Sequence, residues 1–595
     1  MEARGREWAN WNNFKAVTVL SPTEAAKYLI KHPTAEIIPT RWVDTLKSQP
    51  WEPDRHKARL VVRGDLEAEG NARTDSPTCS QPMFSLVVSV SAAKRWPLRG
   101  GDITAAFLQG ENITRTLVLS PPKDGIEGVE PGSLMIAHKP VYGTRDAPRG
   151  FWKKLHNTAR NEGLSAVPHE EASYVLRSSS GGISGIMVAH VDDLLWCGDA
   201  EMERVMKNLQ SKLRFGSLDD GNSFSWCGRE IAQRDDGIAI TCPNTAAKVR
   251  PIPLTMSRKK HREAPASDSE INQLRSILGS LNWVARVCRP DISYQLSALQ
   301  TVQKKATVQD LVDCNALLRH VQETPDVGLF YKYEAFDFDK AIILSISDAS
   351  HAANADVSKS GKTLGHRSQS GRLICLAGPD FIKNGSGVVH PIEYHSNVIR
   401  RVCRSTLQSE TLSMVQCYEE AEHLRSVLHG LRHDHQGHEW KIPAMDSTHI
   451  YQLTDCRSLE AHLHQAGTGT TGDKRLAIDL SYMRQVLWRG CGEENGDPLY
   501  GDQVPKDATT HAVWVETKTM VADCLTKKMK CEQMEKMLRD GSLAVDMNKE
   551  TSKKAMARNR SEMKAAPSMI CKETMDVKSD GETCMYSIHP AQIRM

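Results

Sequence analysis

The segment GIMVAHVDDLLWCG, residues 185–198, decides the fold. Apolar runs at residues 186–191 and 194–197 flank the acidic pair Asp192 and Asp193, a pattern that predicts two short strands joined by a tight turn. Adjacent carboxylates repel each other, and a hairpin that needed only a polar turn would use Asn-Gly or Asp-Gly. A cation bound at the hairpin tip explains the pair, and a solvated acidic turn is the simpler alternative. The rest of the chain must decide between them.

A second candidate acid, Asp102, lies in the segment LRGGDITAAFLQG, residues 98–110. Two glycines before it and an apolar run after it are typical of a strand end that faces a cleft, and a loop cap is the alternative. In-line nucleotidyl transfer requires carboxylates from separate strands that clamp two metal ions about 4 Å apart. Asp102 and Asp192 are the minimum predicted pair of metal ligands. The predicted ion is Mg²⁺, which prefers carboxylate oxygen, with Mn²⁺ as the alternative.

Basic residues near these acids are candidates for phosphate contacts. The segment KARLVVRG, residues 57–64, alternates basic and apolar residues and predicts a strand whose Lys57 and Arg59 could hold a triphosphate. A half-buried strand with a basic solvent face is the alternative. The segment KPVYGTRDAPRGFW, residues 139–152, predicts a glycine-containing turn that opens a helix and can approach a phosphate or a base pair closely.

Composition restricts the class of protein. The chain has 595 residues, of which 40% are hydrophobic and 25% are charged, as in ordinary globular proteins, and its net charge of +3 does not by itself indicate nucleic acid. No apolar run is long enough for a membrane span, and the N-terminus lacks the apolar core of a signal peptide. The 15 cysteines are scattered without zinc-type spacing. We therefore expect an intracellular protein, cytoplasmic or nuclear, with reduced thiols and no membrane partner.

Several motifs occur in the order and approximate spacing of the reverse transcriptase of Ty1/copia long-terminal-repeat retrotransposons. They are KARLVVRG, TDSPT at 74–78, GDITAAFLQG, VYGTRDAPRGFW, HVDD, WCGREI at 226–231 and RSILGSLNWVARVCRPDI at 275–292. The chain resembles this family from about residue 35 to residue 530. The resemblance implies a polymerase with palm, fingers and thumb that copies an RNA template from a DNA primer with deoxynucleoside triphosphates.

The resemblance also implies roles for single residues. Asp102, Asp192 and Asp193 match the catalytic aspartates, with the metal carried chiefly by Asp102 and Asp192. Phe107 matches the aromatic gate under the incoming sugar. The motif that positions template and incoming base contains Tyr142, Gly143 and Arg145.

The chain departs from the family at three places. The family usually has tyrosine at His190, and a Lys-Gln pair where this chain has Arg145 and Asp146. A carboxylate at Asp146 is electrostatically adverse near a triphosphate. In the C-terminal part, Ser350 and His351 replace the usual Asp-Trp pair.

Four further acids match the order of the Ty1/copia RNase H domain. Asp348 ends an apolar strand, Glu410 lies on the apolar face of a predicted helix, Asp455 ends the apolar segment IYQLT, and Asp523 opens ADCLTKKM. A carboxylate on an apolar face is costly unless it has a partner. Each acid alone could be a cap or a surface residue, and Asp479 is a reserve candidate for the last position. Jointly they predict two Mg²⁺ ions that serve phosphodiester hydrolysis in an RNA–DNA hybrid.

These motifs predict an α+β reverse transcriptase followed by an α/β RNase H-like domain. The predicted divisions are an N-terminal lead-in (1–34), fingers and palm (35–243), a linker and helical thumb or connection (244–335), the RNase H-like domain (336–530) and a mobile tail (531–595). The chain lacks protease and zinc-module signatures. We therefore expect a fragment or processed unit whose Gag, protease and integrase partners are made elsewhere.

The predicted function is RNA-directed DNA polymerase with RNase H activity, which recognises the phosphate backbone and the shape of the hybrid. Two alternatives stay open. One is a catalytically decayed, element-derived protein that still binds nucleic acid, and the other is an RNase H enzyme on an inactive polymerase.

Overall fold

Short apolar segments form strands that assemble into four sheets in the part of the chain that a computed structural model describes, residues 2–49, 52–67, 73–357, 363–433, 448–464, 472–487 and 508–547. The described residues lie in one structural unit, Met1–Met547, and the predicted tail beyond it lies outside them. The helices are α1 Glu2–Asn13, α2 Pro22–Lys31, α3 Gln81–Lys94, α4 Ala147–Asn161, α5 Ala200–Lys212, α6 Pro243–Ala247, α7 Met256–Lys260, α8 Asp268–Val287, α9 Ser293–Val302, α10 Val308–Glu323, α11 Asp380–Asn384, α12 Thr406–Arg432, α13 Arg457–His464, α14 Lys474–Leu487 and α15 Glu532–Asp540.

The first sheet has the order β1-β6-β5-β2-β3. Its strands are β1 Val17–Leu20, β2 Ile37–Gln49, β3 Glu52–Val62, β5 Leu117–Ser120 and β6 Leu134–Ala137. Trp11 of α1 is fully buried in the same apolar core as Leu60 of β3. The predicted lead-in is therefore an integral part of this sheet, because β1 pairs with β6 and α1 covers the core.

The second sheet carries the acidic hairpin, and its order is β11-β4-β10-β9-β8-β7. Its strands are β4 Leu98–Ile103, β7 Ser165–Val167, β8 Glu170–Arg177, β9 Ile183–His190, β10 Asp193–Gly198 and β11 Phe215–Asp219. The helix α3 packs against β9 and β10, and all ten of its residues from Met83 to Ala92 are buried. The helix α5 also packs against β9 and β10, so two helices cover the strands of the hairpin.

The third sheet joins the polymerase motifs to the helical region. Its strands are β12 Ser223–Trp226, β13 Arg229–Gln233, β14 Gly237–Thr241 and β15 Leu329–Lys332, in that order. The helices α8 and α10 show the predicted apolar spacing, with Leu274, Ile277, Leu278 and Leu281 buried on α8. The first part of the region predicted as linker and helical thumb or connection (244–335) contains α6 and α7. It also buries Ile252, whose backbone N–H and carbonyl oxygen are bonded to the Asn315 side chain.

The fourth sheet is mixed, with the order β20-β19-β16-β17-β18-β21. Its strands are β16 Ile342–Val357, β17 Thr363–Ala377, β18 Ser386–Val398, β19 Ile450–Thr454, β20 Thr510–Trp514 and β21 Ser542–Ala544. β16, β17 and β18 are antiparallel neighbours, whereas β19 runs parallel to both β16 and β20. The helix α12 packs across β16 and β17. The parallel register places the end of β19 beside the middle of β16, because Leu453 pairs with Ile346.

The predicted tail begins later than residue 531. In α15, Met534, Met537 and Leu538 are buried, and β21 pairs with Ser386–Val388 of β18. The spacing i, i+3, i+4 gives this helix an apolar face that packs on the fourth sheet.

The mixture of helices with antiparallel and mixed sheets confirms the predicted α+β class. No described helix combines the length and apolar character needed to cross a lipid bilayer.

A buried histidine of the fourth sheet contacts both the helix α3 and the third sheet. His390 of β18 is fully buried, and its Nδ1 lies 2.8 Å from the Ser89 hydroxyl of α3 while its Nε2 lies 3.0 Å from the carbonyl oxygen of Lys332. The neutral ring satisfies both contacts by accepting from Ser89 and donating to Lys332. Burial lowers the pKa of His390 to about 4.

This contact predicts a pH-dependent loss of stability. Because the folded pKa lies below the ordinary value of 6.5, the unfolded chain binds the proton more readily, and stability falls as the pH falls from about 6.5 towards 4. We expect His390 to contribute a loss of about 2 kcal/mol at about pH 5. Urea unfolding at pH 8 and at pH 5 measures this loss. Between the two pH values, His390→Gln should lose less free energy of unfolding than the wild type does, by about that amount. The exposed His32→Gln should behave as wild type, and equal losses in all three proteins would contradict the prediction.

Candidate active sites

The acidic hairpin forms as predicted, with its turn displaced by one residue. His190 pairs with Asp193, so the turn consists of Val191 and Asp192, and Asp193 is the first residue of β10. Val191 adopts a φ of 61°, which is an unusual conformation for a β-branched residue. Strained backbone of this kind is tolerated where the surroundings fix it, and it frequently occurs at functional sites.

The register brings acids from separate strands together. Asp193 of β10 lies directly opposite Asp102 of β4, and the N–H of Ile103 donates to the carbonyl oxygen of Asp192 at 3.0 Å. Residues directly opposite in an antiparallel pair point to the same face. The Cys227 thiol lies 3.5 Å from Oδ2 of Asp193. Burial raises the pKa of Asp193, the Cys227 thiol lowers it, and the charge of Asp102 raises it again.

The predicted phosphate-binding strand lies near this hairpin. Lys57 and Arg59 belong to β3. Burial raises the pKa of Asp192 and the charge of Asp193 adds to the rise, whereas the positive charges of Lys57 and Arg59 oppose it. The structure therefore brings together the two basic residues and the acid that the sequence assigned to one site.

Aromatic side chains connect the basic strand to the sugar-gate position. The rings of Phe107 and Tyr142 lie 5.1 Å apart, and the Arg59 guanidinium lies 5.6 Å from the centre of the Tyr142 ring. Burial raises the pKa of the Tyr142 phenol, and the negative charges of Glu7, Asp192 and Asp102 add to that rise. The charges of Asp192 and Asp102 therefore act on Tyr142, whose ring lies beside that of Phe107.

The adverse carboxylate of Asp146 is neutralised by a residue that the sequence did not single out. Arg115 donates to both carboxylate oxygens of Asp146 and also pairs with Glu67 at 2.6 Å. Arg145 itself is exposed and donates to the carbonyl oxygen of Gly64 at 3.3 Å. Asp146 is therefore held in an ion-pair network.

A second acidic cluster lies in the fourth sheet, where β19 ends beside the middle of β16. The sequence predicted that Asp348 ends its strand, but β16 continues to Val357. Asp348 lies within β16, Asp455 follows β19, and Asp523 lies in the 3₁₀ turn Val521–Leu525. Carboxylate oxygens of these three residues all lie within 4.8 Å of one another. Among the described residues, this is the group of three His, Cys, Asp or Glu side chains whose ligand atoms lie so close together. The palm acids Asp102, Asp192 and Asp193 do not form such a group.

Glu410 and Thr526 complete the cluster. Glu410 of α12 is 5% exposed, and its Oε2 has no hydrogen-bond partner among the described residues, although the Ala349 N–H donates to the carboxylate. The Thr526 hydroxyl donates to Oδ2 of Asp348. Burial raises the pKa of Asp348 to about 7, and the charge of Asp523 adds to this rise. Burial also raises the pKa of Glu410, with Asp348 and Asp455 adding to it.

The donor set fits hard divalent cations. Mg²⁺ and Mn²⁺ favour carboxylate oxygens, and an orphaned buried oxygen such as Oε2 of Glu410 is costly unless a cation or water satisfies it. The reserve candidate Asp479 is engaged elsewhere, because the Arg401 guanidinium donates to it at 3.1 Å. The structure thus gathers Asp348, Asp455 and Asp523 at one point and excludes Asp479 from it.

Comparison with known proteins shows which families the chain is similar to. Residues 26–260 match the family described as reverse transcriptase (RNA-dependent DNA polymerase). The Retrovirus-related Pol polyproteins from transposons RE1 and RE2 of Arabidopsis thaliana are each 25% identical to the chain over 512 and 513 residues, 83% and 84% of it. Residues 26–260 thus resemble a reverse transcriptase domain, and the two relatives that align with most of the chain are transposon Pol polyproteins. This finding confirms the resemblance that the sequence motifs predicted.

Further comparisons define the extent of the similarity. The chain spans 31% of the length of the RE1 and RE2 polyproteins. The Putative transposon Ty5-1 protein of Saccharomyces cerevisiae is 24% identical over 270 residues, covering 43% of this chain and 85% of that protein. The foamy viral protease-reverse transcriptase in complex with dsDNA is 13% identical to the chain, with a TM-score of 0.43 and coverage of 84% of this chain and 82% of that one.

Gly143 of the reverse transcriptase domain occupies a position that other residues cannot adopt. Its φ is +94°, and a Cβ there would lie 2.1 Å from the carbonyl oxygen of Val62. We expect Gly143→Ala to lower the free energy of unfolding by at least about 2 kcal/mol. Gly279 of α8 is the matched control, because its Cβ would meet nothing within 4 Å. In thermal unfolding Gly279→Ala should be neutral or slightly stabilising, and equal melting temperatures for both variants would contradict this reasoning.

Sequence reasoning missed residues that act through the predicted ones. Arg115, Cys227, Thr526 and Lys527 contact acids that the motifs identified. Cys227 lies in the motif WCGREI, and Thr526 and Lys527 lie in ADCLTKKM, but neither motif by itself indicated a role for them. The basic run at 527–530 was the available signal for Lys527. His190 is exposed and its ring lies edge-on to Trp226 at 6.4 Å.

Proposed function

We propose that this chain is an RNA-directed DNA polymerase with RNase H activity, which extends a DNA primer on an RNA template and degrades the RNA of the hybrid. The observation that carries the polymerase proposal is the pairing of Asp102 with Asp193 beside the Asp192 turn, within reach of the charges of Lys57 and Arg59. The two sets of residues suit different parts of the substrate complex. The acids would bind the metal ions, and the basic residues would bind the phosphates of the incoming nucleotide.

The polymerase reaction joins the primer 3′-hydroxyl to the α-phosphate of a deoxynucleotide and releases pyrophosphate. Asp102 and Asp192 would hold Mg²⁺ or Mn²⁺, with Asp193 beside them. Two bound ions supply activation of the hydroxyl and stabilisation of the leaving pyrophosphate. Lys57 and Arg59 would bind the triphosphate through charge.

Neighbouring residues would select and orient the substrate. Phe107 would pack under the sugar and exclude a 2′-hydroxyl, while Tyr142, Gly143 and Arg145 would position the template and the incoming base. Support comes from the contact between the Phe107 and Tyr142 rings and from the close approach of backbone at Gly143.

The RNase H proposal is carried by the cluster of Asp348, Asp455 and Asp523. Together with Glu410 they would hold two divalent ions, which supply an activated water and stabilise the leaving oxygen in phosphodiester hydrolysis. The Thr526 hydroxyl would orient Asp348 by donating to its Oδ2. Hybrid recognition would depend on the phosphate backbone and on helix shape.

One observation favours a second candidate, RNase H activity alone. The acids of the fourth sheet close to within 4.8 Å, whereas the palm acids do not form such a group among the described residues. If the chain is also a polymerase, binding of metal and substrate would have to bring Asp102 and Asp192 closer together. Such tightening is common, because catalytic contacts often form fully only in the substrate complex.

Primer extension and hybrid cleavage test these proposals in parallel. The purified chain is incubated with Mg²⁺, labelled deoxynucleotides and a DNA primer on an RNA template, and separately with a labelled RNA–DNA hybrid. Both activities are expected. Cleavage without extension would leave the RNase H candidate, and hybrid binding without either reaction would support a decayed nucleic-acid-binding protein.

A further inference from the structure

A lysine ammonium lies inside the acidic cluster of the fourth sheet. Lys527 Nζ is 2.7 Å from Oδ1 of Asp523 and 3.9 Å from Oδ2 of Asp348. These two residues, with Asp455, supply the oxygens that lie within 4.8 Å of one another. The ammonium therefore contacts the same carboxylates that would hold divalent ions.

The charge of this cluster makes such a cation necessary. Asp348, Glu410 and Asp523 are buried and Asp455 is partly buried, so their negative charges repel each other across a poorly solvated space. In the described part of the chain, the salt bridges to these four acids come from Lys527. One ammonium partly compensates several carboxylates and holds them close.

We infer that Lys527 is a resident counter-ion of the proposed hydrolytic site, and that its ammonium must leave the cluster when a divalent ion binds. Mg²⁺ coordinates carboxylate oxygens at about 2.1 Å and demands near-octahedral geometry, so an ammonium at hydrogen-bonding distance from the same oxygens competes for their lone pairs. The inference rests on the proposed metal dependence of this cluster.

The position of Lys527 allows this exchange without movement of the main chain. Its side chain is 44% exposed, whereas that of Asp348 is 3% exposed, so the lysine approaches the cluster from the solvent side. The flexible four-carbon stem of lysine can swing the ammonium into solvent. Meanwhile Thr526 remains fixed by its hydroxyl contacts with Asp348 and with the carbonyl oxygen of Asp523.

Metal binding in the absence of nucleic acid tests the inference. The full chain carries Asp102→Asn and Asp192→Asn throughout, so that the palm does not contribute, and free Mn²⁺ is followed by electron paramagnetic resonance during titration. Lys527→Met is expected to bind Mn²⁺ more tightly by on the order of tenfold, because a competing cation is removed. Lys527→Arg retains the cation and should bind nearly as the parent does.

The matched control is Lys528→Met, which removes the same charge from the adjacent exposed residue. We expect it to change the Mn²⁺ affinity by less than about threefold, as solvent screens an exposed charge. The rise in melting temperature on adding Mn²⁺ should also be larger for Lys527→Met than for its parent, which checks folding and binding together.

The outcomes separate this inference from the proposed function. Unchanged affinity in Lys527→Met, with binding weakened by Asp348→Asn, would overturn the role of Lys527 and leave the metal site standing. An equal gain in Mn²⁺ affinity in Lys528→Met would also overturn it, since the effect would then come from the loss of any nearby positive charge and not from Lys527 itself. Binding that Asp348→Asn does not weaken would remove the metal site and the counter-ion role with it.

Discussion

Primer extension by the Asp192→Asn variant is expected to fall at least about 10³-fold, because the amide removes one of the charges that would hold metal in the palm. The substitution preserves side-chain volume. It also leaves the backbone contact intact, since the N–H of Ile103 donates to the carbonyl oxygen of residue 192 and not to its side chain. A loss of activity would therefore report on the carboxylate. Single-turnover extension with equal enzyme concentrations is the measurement.

A matched Asp→Asn control lies a few residues along the same hairpin. Asp199 caps α5 by accepting hydrogen bonds from the N–H groups of Glu201 and Met202. Asparagine caps helices as well as aspartate does, so Asp199→Asn should retain extension. Asp102→Asn should match the loss in Asp192→Asn. Equal extension by Asp192→Asn and Asp199→Asn would contradict the assignment of the palm.

The hairpin illustrates how far local sequence rules reach. Apolar runs on both sides of Asp192 and Asp193 predict the two strands, because side-chain period and burial are local properties. The observed turn lies one residue earlier than the predicted turn. The reason is that Val191 adopts a left-handed conformation, which a β-branched residue intrinsically disfavours. Tertiary contacts override preference here, and sequence alone does not contain them.

The candidate acids of both sites could be singled out from the sequence because each ends or interrupts an apolar element. Their partners were not, since Thr526 meets Asp348 across 178 positions of sequence and Cys227 meets Asp193 across 34. The same holds for Arg115, which neutralises Asp146 from 31 positions away. The ordered helix α15 was overlooked because methionines supply most of its apolar face.

Hybrid cleavage is expected to fall at least about 10³-fold in Asp348→Asn, since Asp348 belongs to the second acidic cluster and would be a metal ligand. Primer extension should be retained, because the palm acids belong to another sheet. The separation of the two activities in one variant is the measurement. A parallel loss of extension would indicate a folding defect instead, and unchanged cleavage would exclude Asp348 from the reaction.

Stability provides an independent test of the same substitution. Because burial raises the folded pKa of Asp348 to about 7, the folded state binds the proton more readily than the unfolded chain does, and stability declines as the pH rises from about 4 through 7. Asparagine does not titrate, and its amide oxygen can still accept from Thr526. Without divalent ions at about pH 8, Asp348→Asn should therefore exceed the wild type in free energy of unfolding by up to about 4 kcal/mol. A variant that is more stable but cannot cleave would identify a carboxylate retained for its chemistry at a cost to the fold.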